Sequence, residues 1–256
     1  MRCDVALGEP FEGGVRWEQV RPSRYDVVLV VSGPVEQGLP IAELIRRFSG
    51  RRLVGLNLTL LERVESWNPW ATLIARDGVG IDAAPDLTLA SKPAAVPVVA
   101  RVQADVEKEY ERSALEFVHT AFDHLLAGRD VAVISVDARL DGNASGLRTA
   151  AQVEALIGRA DVVLATRPDG LVLALRAGVP ALAVDPIPGG AAMIAQARAA
   201  GWPHALVVDE LDDAILARGY EACLSPEAAH LARECASRAA DKLEPVRRAV
   251  RAVLSA

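Results

Sequence analysis

The feature that most constrains this chain is a set of short, unbroken runs of branched apolar residues, several of them followed by a stretch with helical spacing. Asp26-Val-Val-Leu-Val-Val31 is the sharpest, and it stops at Ser32-Gly33-Pro34. An apolar run without alternation suits a strand buried on both faces, the condition of parallel sheets. Leu39–Phe48 then spaces Ile41, Leu44, Ile45 and Phe48 for a helix and ends at Ser49-Gly50. Arg52–Asn57 predicts the next strand, Leu73–Asp77 a short one and Leu87–Ala90 a fourth. An opening strand is expected at about Cys3–Leu7. Strand, helix, strand without tight hairpins specifies βαβ units, hence an α/β fold with parallel sheets.

Ser91-Lys-Pro-Ala-Ala-Val-Pro97 interrupts this rhythm, and it divides the chain into an N-terminal domain over 1–96 and a C-terminal domain over 97–256. After it, the pattern predicts a strand at Val98–Val102 and a long helix from about Val106 to Ala127. Further strands are expected at Asp130–Asp137, Asp161–Ala165, Pro180–Val184 and Ala205–Val208. Helices are expected at Ala150–Arg159, Gly170–Ala177 and Gly190–Ala200, with a helical tail broken near Ser225-Pro226 and Pro245. With 256 residues, two successive α/β units joined near residues 91–97 are the economical picture.

Charge narrows the partners. The net charge of −6 argues against a protein that grips a nucleic-acid backbone. All but three of the 28 basic residues are arginines, the exceptions being Lys92, Lys108 and Lys242, so planar carboxylate or phosphate clamps are available. Cys3, Cys223 and Cys235 include no C-x-x-C pair and read as free thiols of a reducing compartment. No apolar run is long enough to cross a bilayer, and no leader is visible, so the expected location is the cytoplasm.

In open parallel sheets, ligands bind outside the carboxyl ends of strands, where helix N-termini offer free N–H groups to anions. Four such segments carry polar or glycine residues: Ser32-Gly33-Pro34, Asp137–Thr149, Thr166–Gly170 and Asp185–Gly190. None matches the dinucleotide G-x-G-x-x-G or the Walker P-loop. There is no H-x-x-H, Cys pair or D-x-D triplet, so no metal and no cofactor is expected.

Ala160–Trp202 combines a strand, a polar turn, a small-residue helix, a second strand and a Pro/Gly loop opening another helix. This unit resembles the polysaccharide pyruvyl transferase family of bacteria, whose C-terminal half carries a T-R-L-H-G-L segment followed by G-V-P and a strand. Arg76-Asp77 with Ala84-Pro85-Asp86 looks like the family's R-D element and downstream P-D. Asn68-Pro69 and the Asp137–Thr149 stretch are similar to further parts of one branch, giving coverage of roughly residues 25–210. The resemblance implies a GT-B-like arrangement of two Rossmann-like domains, here with a short N-terminal one. It implies glycan biosynthesis by pyruvyl transfer from phosphoenolpyruvate to a saccharide or glycosylated small-molecule acceptor.

One departure bears on the chemistry. Where the family has Leu-His after the arginine, this chain has Pro168-Asp169. A histidine can protonate a leaving phosphate, whereas an ionised aspartate only accepts and repels an anionic donor. Proline at the first helical position followed by an acid is also an ordinary helix start. Both readings of Asp169 stay open. Arg167 is the candidate to hold an anionic donor, and Arg167 and Asp169 are the candidate catalytic residues.

Substrate contacts are expected from Asp137, Arg139, Asn143, Thr166, Gly170, Asp185, Gly189 and Gly190, with Ser32 and Asn57 from the first domain. The N–H groups of Gly189, Gly190 and Ala191 would hold an anion, or else form a rigid turn. Arg76-Asp77 reads as a brace within the first domain, Thr149 as a helix cap, and Trp67 and Trp70 as packing of their loop. Three readings follow: pyruvyl transfer from phosphoenolpyruvate, glycosyl transfer from a nucleotide-sugar donor, and a catalytically degenerate binding subunit, with a homodimer left open.

Overall fold

The computed structural model describes residues 3–6, 14–38, 41–63, 67–93, 95–103, 113–139, 143 and 145–255. The chain divides into two compact units, Met1–Ala94 and Ala95–Ala256.

The first unit contains β1 (Val27–Val31), β2 (Pro34–Val35), α1 (Ile41–Arg47), β3 (Arg52–Leu60) and β4 (Thr72–Gly78). All its strand pairings are parallel. β1 and β2 lie along the same edge of β3, with Val31 opposite Leu56 and Pro34 opposite Thr59, and β4 takes the other edge. Ser32-Gly33-Pro34 is therefore not a loop leaving the sheet. The strand kinks at Ser32 and Gly33, both at positive φ, and resumes. Ser32 N–H donates to Leu56 O at 3.0 Å, and Gly33 O accepts from Thr59 N–H at 3.0 Å.

One face of this sheet supports a core of Val35, Phe48, Leu53, Leu58, Leu60 and Trp70, with Val28, Val30, Leu44 and Ile45 packed against it. The other face is open. Val27, Leu29 and Val31 of β1 and Ile74 of β4 are about half exposed. Leu29 pairs with Val54, which pairs with Thr72; Val31 pairs with Leu56, which pairs with Ile74. Residues in register share a face, so these rows form one apolar surface. The β1 run thus departs from the expectation of burial on both sides.

Two other expectations change here. Leu87–Ala90 forms a 3-10 turn instead of a strand, capped by the Asp86 carboxylate, which accepts from Thr88 N–H at 2.8 Å. A local side-chain cap outcompetes the ladder. Of the expected opening strand, Ala6 makes a single antiparallel bridge to Gly14, and Leu7 lies outside the described residues.

The second unit contains β5 (Val98–Val102), α2 (Leu115–Leu126), β6 (Ala132–Ser135), α3 (Ala150–Ile157), β7 (Val162–Ala165), α4 (Pro168–Arg176), β8 (Ala181–Asp185), α5 (Ala192–Ala200) and β9 (Ala205–Val207). Three helices follow: α6 (Asp213–Cys223), α7 (Pro226–Lys242) and α8 (Glu244–Leu254). The five strands are all parallel, in the order β6-β5-β7-β8-β9. Every residue of β7 and β8 is buried, which requires cover on both faces. α3, α4 and α5 neighbour one another, α2 neighbours α6, and α7 packs over α4 and α5. Residues 104–112, the first part of the expected long helix with Val106 and Tyr110, lie outside the described residues.

Local chemistry explains the helix ends. Thr149 accepts from Gln152 N–H at 3.2 Å while the Gln152 side chain accepts from Thr149 N–H at 3.1 Å, a reciprocal cap for α3. Ser225 caps α7 ahead of Pro226, and Pro245 sits in the first turn of α8, so the tail breaks where its prolines predict. Gly201 closes α5 in the left-handed region at φ 75°. Cys223 and Cys235 are buried free thiols, and burial pushes the Cys223 thiol up to about 12, so at neutral pH it supplies no thiolate.

Candidate functional site

The strand order of the second unit reverses direction between β5 and β7, because the chain runs from β5 to β6 on one side and continues from β7 on the other. Such a switch point leaves a crevice at the carboxyl ends of its two strands, the general ligand position in open α/β sheets. Arg167 lies two residues beyond the end of β7, so the best arginine candidate of the sequence stands at this switch point.

The residues beside it can be placed by register. Arg101 pairs with Ser135, and Val102 pairs with Ala165. Thr166 N–H donates to Val102 O at 3.1 Å and Val136 N–H to Arg101 O at 2.9 Å, which carries the register past the strand ends. One step further, Gln103 falls between Asp137 and Thr166, in one polar row with strands about 4.8 Å apart. Thr166 is buried, and the Gln103 Nε2 is buried with no hydrogen-bond partner among the described residues. Buried amide donors are normally satisfied, so this one stands out among the described residues. Gln103 is inconspicuous in the sequence. Its signal was only a polar residue closing the Val98–Val102 run.

Arg167 is paired. Its Nε lies 3.0 Å from Asp169 Oδ1 and its Nη2 3.2 Å from Oδ2, a forked ion pair spanning the start of α4. Pro168 occupies the first helical position and Asp169 the first turn, so α4 starts two residues before its expected beginning. Asp169 thus belongs to a helix start and also neutralises the arginine expected to hold an anion. Gly170 serves close packing: a Cβ there would lie 2.8 Å from Val102 Cγ1 and 3.3 Å from Ala165 Cβ. It brings α4 against the ends of β5 and β7.

The loop after β6 is organised by Asn143. Its Nδ2 donates to Asp137 O and Arg139 O, both at 2.7 Å, and its Oδ1 accepts from Ser145 and Leu147 N–H. Asp137 accepts from Arg139 N–H at 3.0 Å and from Arg139 Nε at 3.2 Å. Asn143 therefore ties together the described residues of this loop, and Asp137 stays at the row's end beside Gln103.

The Asp185–Gly190 loop turns its donors inward. Asp185 is buried and accepts from Ile187 N–H at 3.1 Å, Ala191 N–H at 2.6 Å and Ile194 N–H at 3.2 Å. Gly189 N–H donates to Asp209 at 2.5 Å, and Gly190 N–H to Ile187 O at 2.9 Å. The three N–H groups expected to receive an anion are already held by the chain's own oxygens. Gly189 and Gly190 both have positive φ, so the rigid-turn reading describes this loop.

In the first unit, Ser32 and Asn57 are the non-glycine residues at positive φ among those described, at 63° and 58°, and they lie level with each other on adjacent strands. Asn57 is a bulge in β3, since Leu56 pairs with Ile74 and Leu58 with Ala75. Its buried side chain donates to Asp86 at 3.2 Å and accepts from Leu87 N–H at 3.2 Å. Arg76 reaches Asp77 at 2.9 Å, Thr59 Oγ1 at 2.5 Å and Asp86. The Thr88 hydroxyl and N–H, then Arg76 and Asn57, hold the Asp86 carboxyl well below the ordinary carboxylate range. This network ties the segment after β4 to the sheet, so Asn57 acts as a fastening, and Arg76-Asp77 as the brace. Trp70 is buried in the same core.

Among the described residues, no group of three or more His, Cys, Asp or Glu side chains is placed to hold a metal ion, and no helix is long and apolar enough to cross a membrane. No family model matches the chain, and no curated protein matches it. Among solved structures, the calicheamicin glycosyltransferase CalG4 is similar at 15% identity with a TM-score of 0.43, covering 77% of this chain and 51% of that one. The spinosyn rhamnosyltransferase SpnG is similar in two structures, one with thymidine diphosphate and one with spinosyn aglycone. Both have a TM-score of 0.39, at 12% and 13% identity, and cover 85% of this chain and 70% of theirs. The chain spans about half the length of CalG4.

Proposed function

We propose that this chain is a transferase that binds a nucleotide-sugar donor at the β5/β7 switch point and passes the glycosyl group to a hydroxyl of a saccharide or glycosylated small molecule. The observation that carries this reading is the charge state of the crevice. Arg167 stands where a donor phosphate is expected, but Asp169 already balances it. Phosphoenolpyruvate concentrates a phosphate and a carboxylate on three carbons and needs uncompensated positive charge. A nucleotide sugar spreads its charge over a diphosphate and presents many hydroxyls and amides. The row of Asp137, Gln103 and Thr166 offers hydrogen-bonding groups of both kinds to such a molecule. Arg167 would exchange part of its fork for the diphosphate, and Asp169 would then be free to accept from a sugar hydroxyl. Under the same reading, the first unit binds the acceptor and the second the donor.

A thermal-shift comparison tests this directly. UDP- or dTDP-sugars at a hundredfold excess over Kd should raise Tm by roughly 5 °C or more. Phosphoenolpyruvate should leave Tm in place, and Arg167→Ala should abolish the nucleotide-sugar shift. A shift by phosphoenolpyruvate alone would restore pyruvyl transfer. No shift by either class, with Arg167→Ala silent, would favour a degenerate binding subunit.

A further inference from the structure

Every residue of α8 is exposed, yet the helix is sharply two-sided. At 100° per residue, Leu243, Val246, Val250, Val253 and Leu254 fall on one stripe, while Arg247, Arg248 and Arg251 fall beside it on the other side. The stripe is not a scatter of single surface residues: Val253 and Leu254 are 76% and 81% exposed, and the other three are about half exposed. A contiguous apolar stripe of this kind marks an interaction surface.

We infer that α8 is an interfacial helix that lays its apolar stripe into the surface of an anionic lipid bilayer. Charge selects the occupant. The chain as a whole carries −6, but α8 carries three arginines against the single acid Glu244. Two copies of α8 stripe to stripe would bring six arginines together, so a second copy meets repulsion where an anionic surface meets attraction. The stripe also lacks an aromatic or methionine side chain that would anchor in a shaped protein groove. Valine and leucine form a smooth ridge, which suits a fluid medium that conforms to it. Arginine stems flanking the ridge can lie along the interface with their guanidinium groups on lipid phosphates. A helix of eleven residues is about 16 Å long, so it lies on a bilayer and does not span one.

The test uses the full chain and sedimentation with vesicles. Protein should pellet with phosphatidylcholine vesicles containing one-third phosphatidylglycerol, and at least tenfold less with phosphatidylcholine alone or in 0.5 M salt. Arg247→Gln, Arg248→Gln and Arg251→Gln should each weaken binding about fivefold. The double variant Val250→Asp/Val253→Asp should lose it while keeping the parent Tm, since neither side chain is buried. The inference fails if the parent chain stays in the supernatant with anionic vesicles, or if the double variant binds as well as the parent. It also fails if light scattering shows a dimer that the double variant dissociates, because a second copy would then cover the stripe.

Discussion

β1 and β7 begin from nearly the same sequence. Val-Val-Leu-Val-Val in the first unit and Val-Val-Leu-Ala in the second are both unbroken apolar runs in parallel sheets. β7 is buried throughout, whereas alternate residues of β1 face solvent. The difference lies in what covers each sheet. β7 is central, flanked by β5 and β8, with helices layered over the sheet. β1 is an edge strand of a sheet whose helix and core lie on one side. An apolar run therefore specifies a strand but not the number of layers around it.

The largest effect expected from this comparison is in the second core. Leu164→Ala, in the middle of β7, should cost about 2–5 kcal/mol by urea denaturation. Leu29→Ala in β1 should stay within about 0.5 kcal/mol. Equal costs would mean that the β1 face is covered in solution and would break the contrast. Next comes the packing glycine. Gly170→Val should cost about 1–3 kcal/mol, because the new side chain meets Val102. Gly50→Ala in the first unit, with nothing within 4 Å of its Cβ, serves as the near-neutral control.

The smallest effect is a pH dependence confined to the first unit. The Asp86 pKa is lowered by folding, so its stabilising contribution is complete above the unfolded value of about 3.9 and is lost as pH falls below it. Three of the four tryptophans, Trp17, Trp67 and Trp70, belong to this unit, so their fluorescence should report an acid transition beginning near pH 4. Asp86→Asn should remove its share of that pH dependence. A transition unchanged by the substitution would place the acid sensitivity elsewhere.

Several elements were legible because their causes are local. The Val98–Val102 run forms β5 with the expected bounds, and Thr149 caps α3 through a contact three residues away. Prolines 226 and 245 start helices for the same reason. Leu87–Ala90 was misread because Asp86 offers that segment a cap that hydrophobic pattern does not register. Around the site, the sequence located Arg167 at a strand end but could not show its fork with Asp169, although the two are neighbours in the chain. It left the Gly189-Gly190 loop as either an anion cradle or a rigid turn, because the donors are visible in sequence but their partners are not. The carboxylate that takes the Gly189 donor, Asp209, lies twenty residues away.

By itself, the sequence determined most of the strands and helices with their caps and breaks, since these follow from backbone preferences and short-range contacts, and its hairpin-free strand–helix order implied parallel sheets. Tertiary structure alone decided which apolar runs gained a second covering layer, which donors were already satisfied, and which polar residues came to lie in one row. Those outcomes depend on strand order and on partners far apart along the chain. That is why Gln103, inconspicuous in the sequence, stands between Asp137 and Thr166 at the switch point.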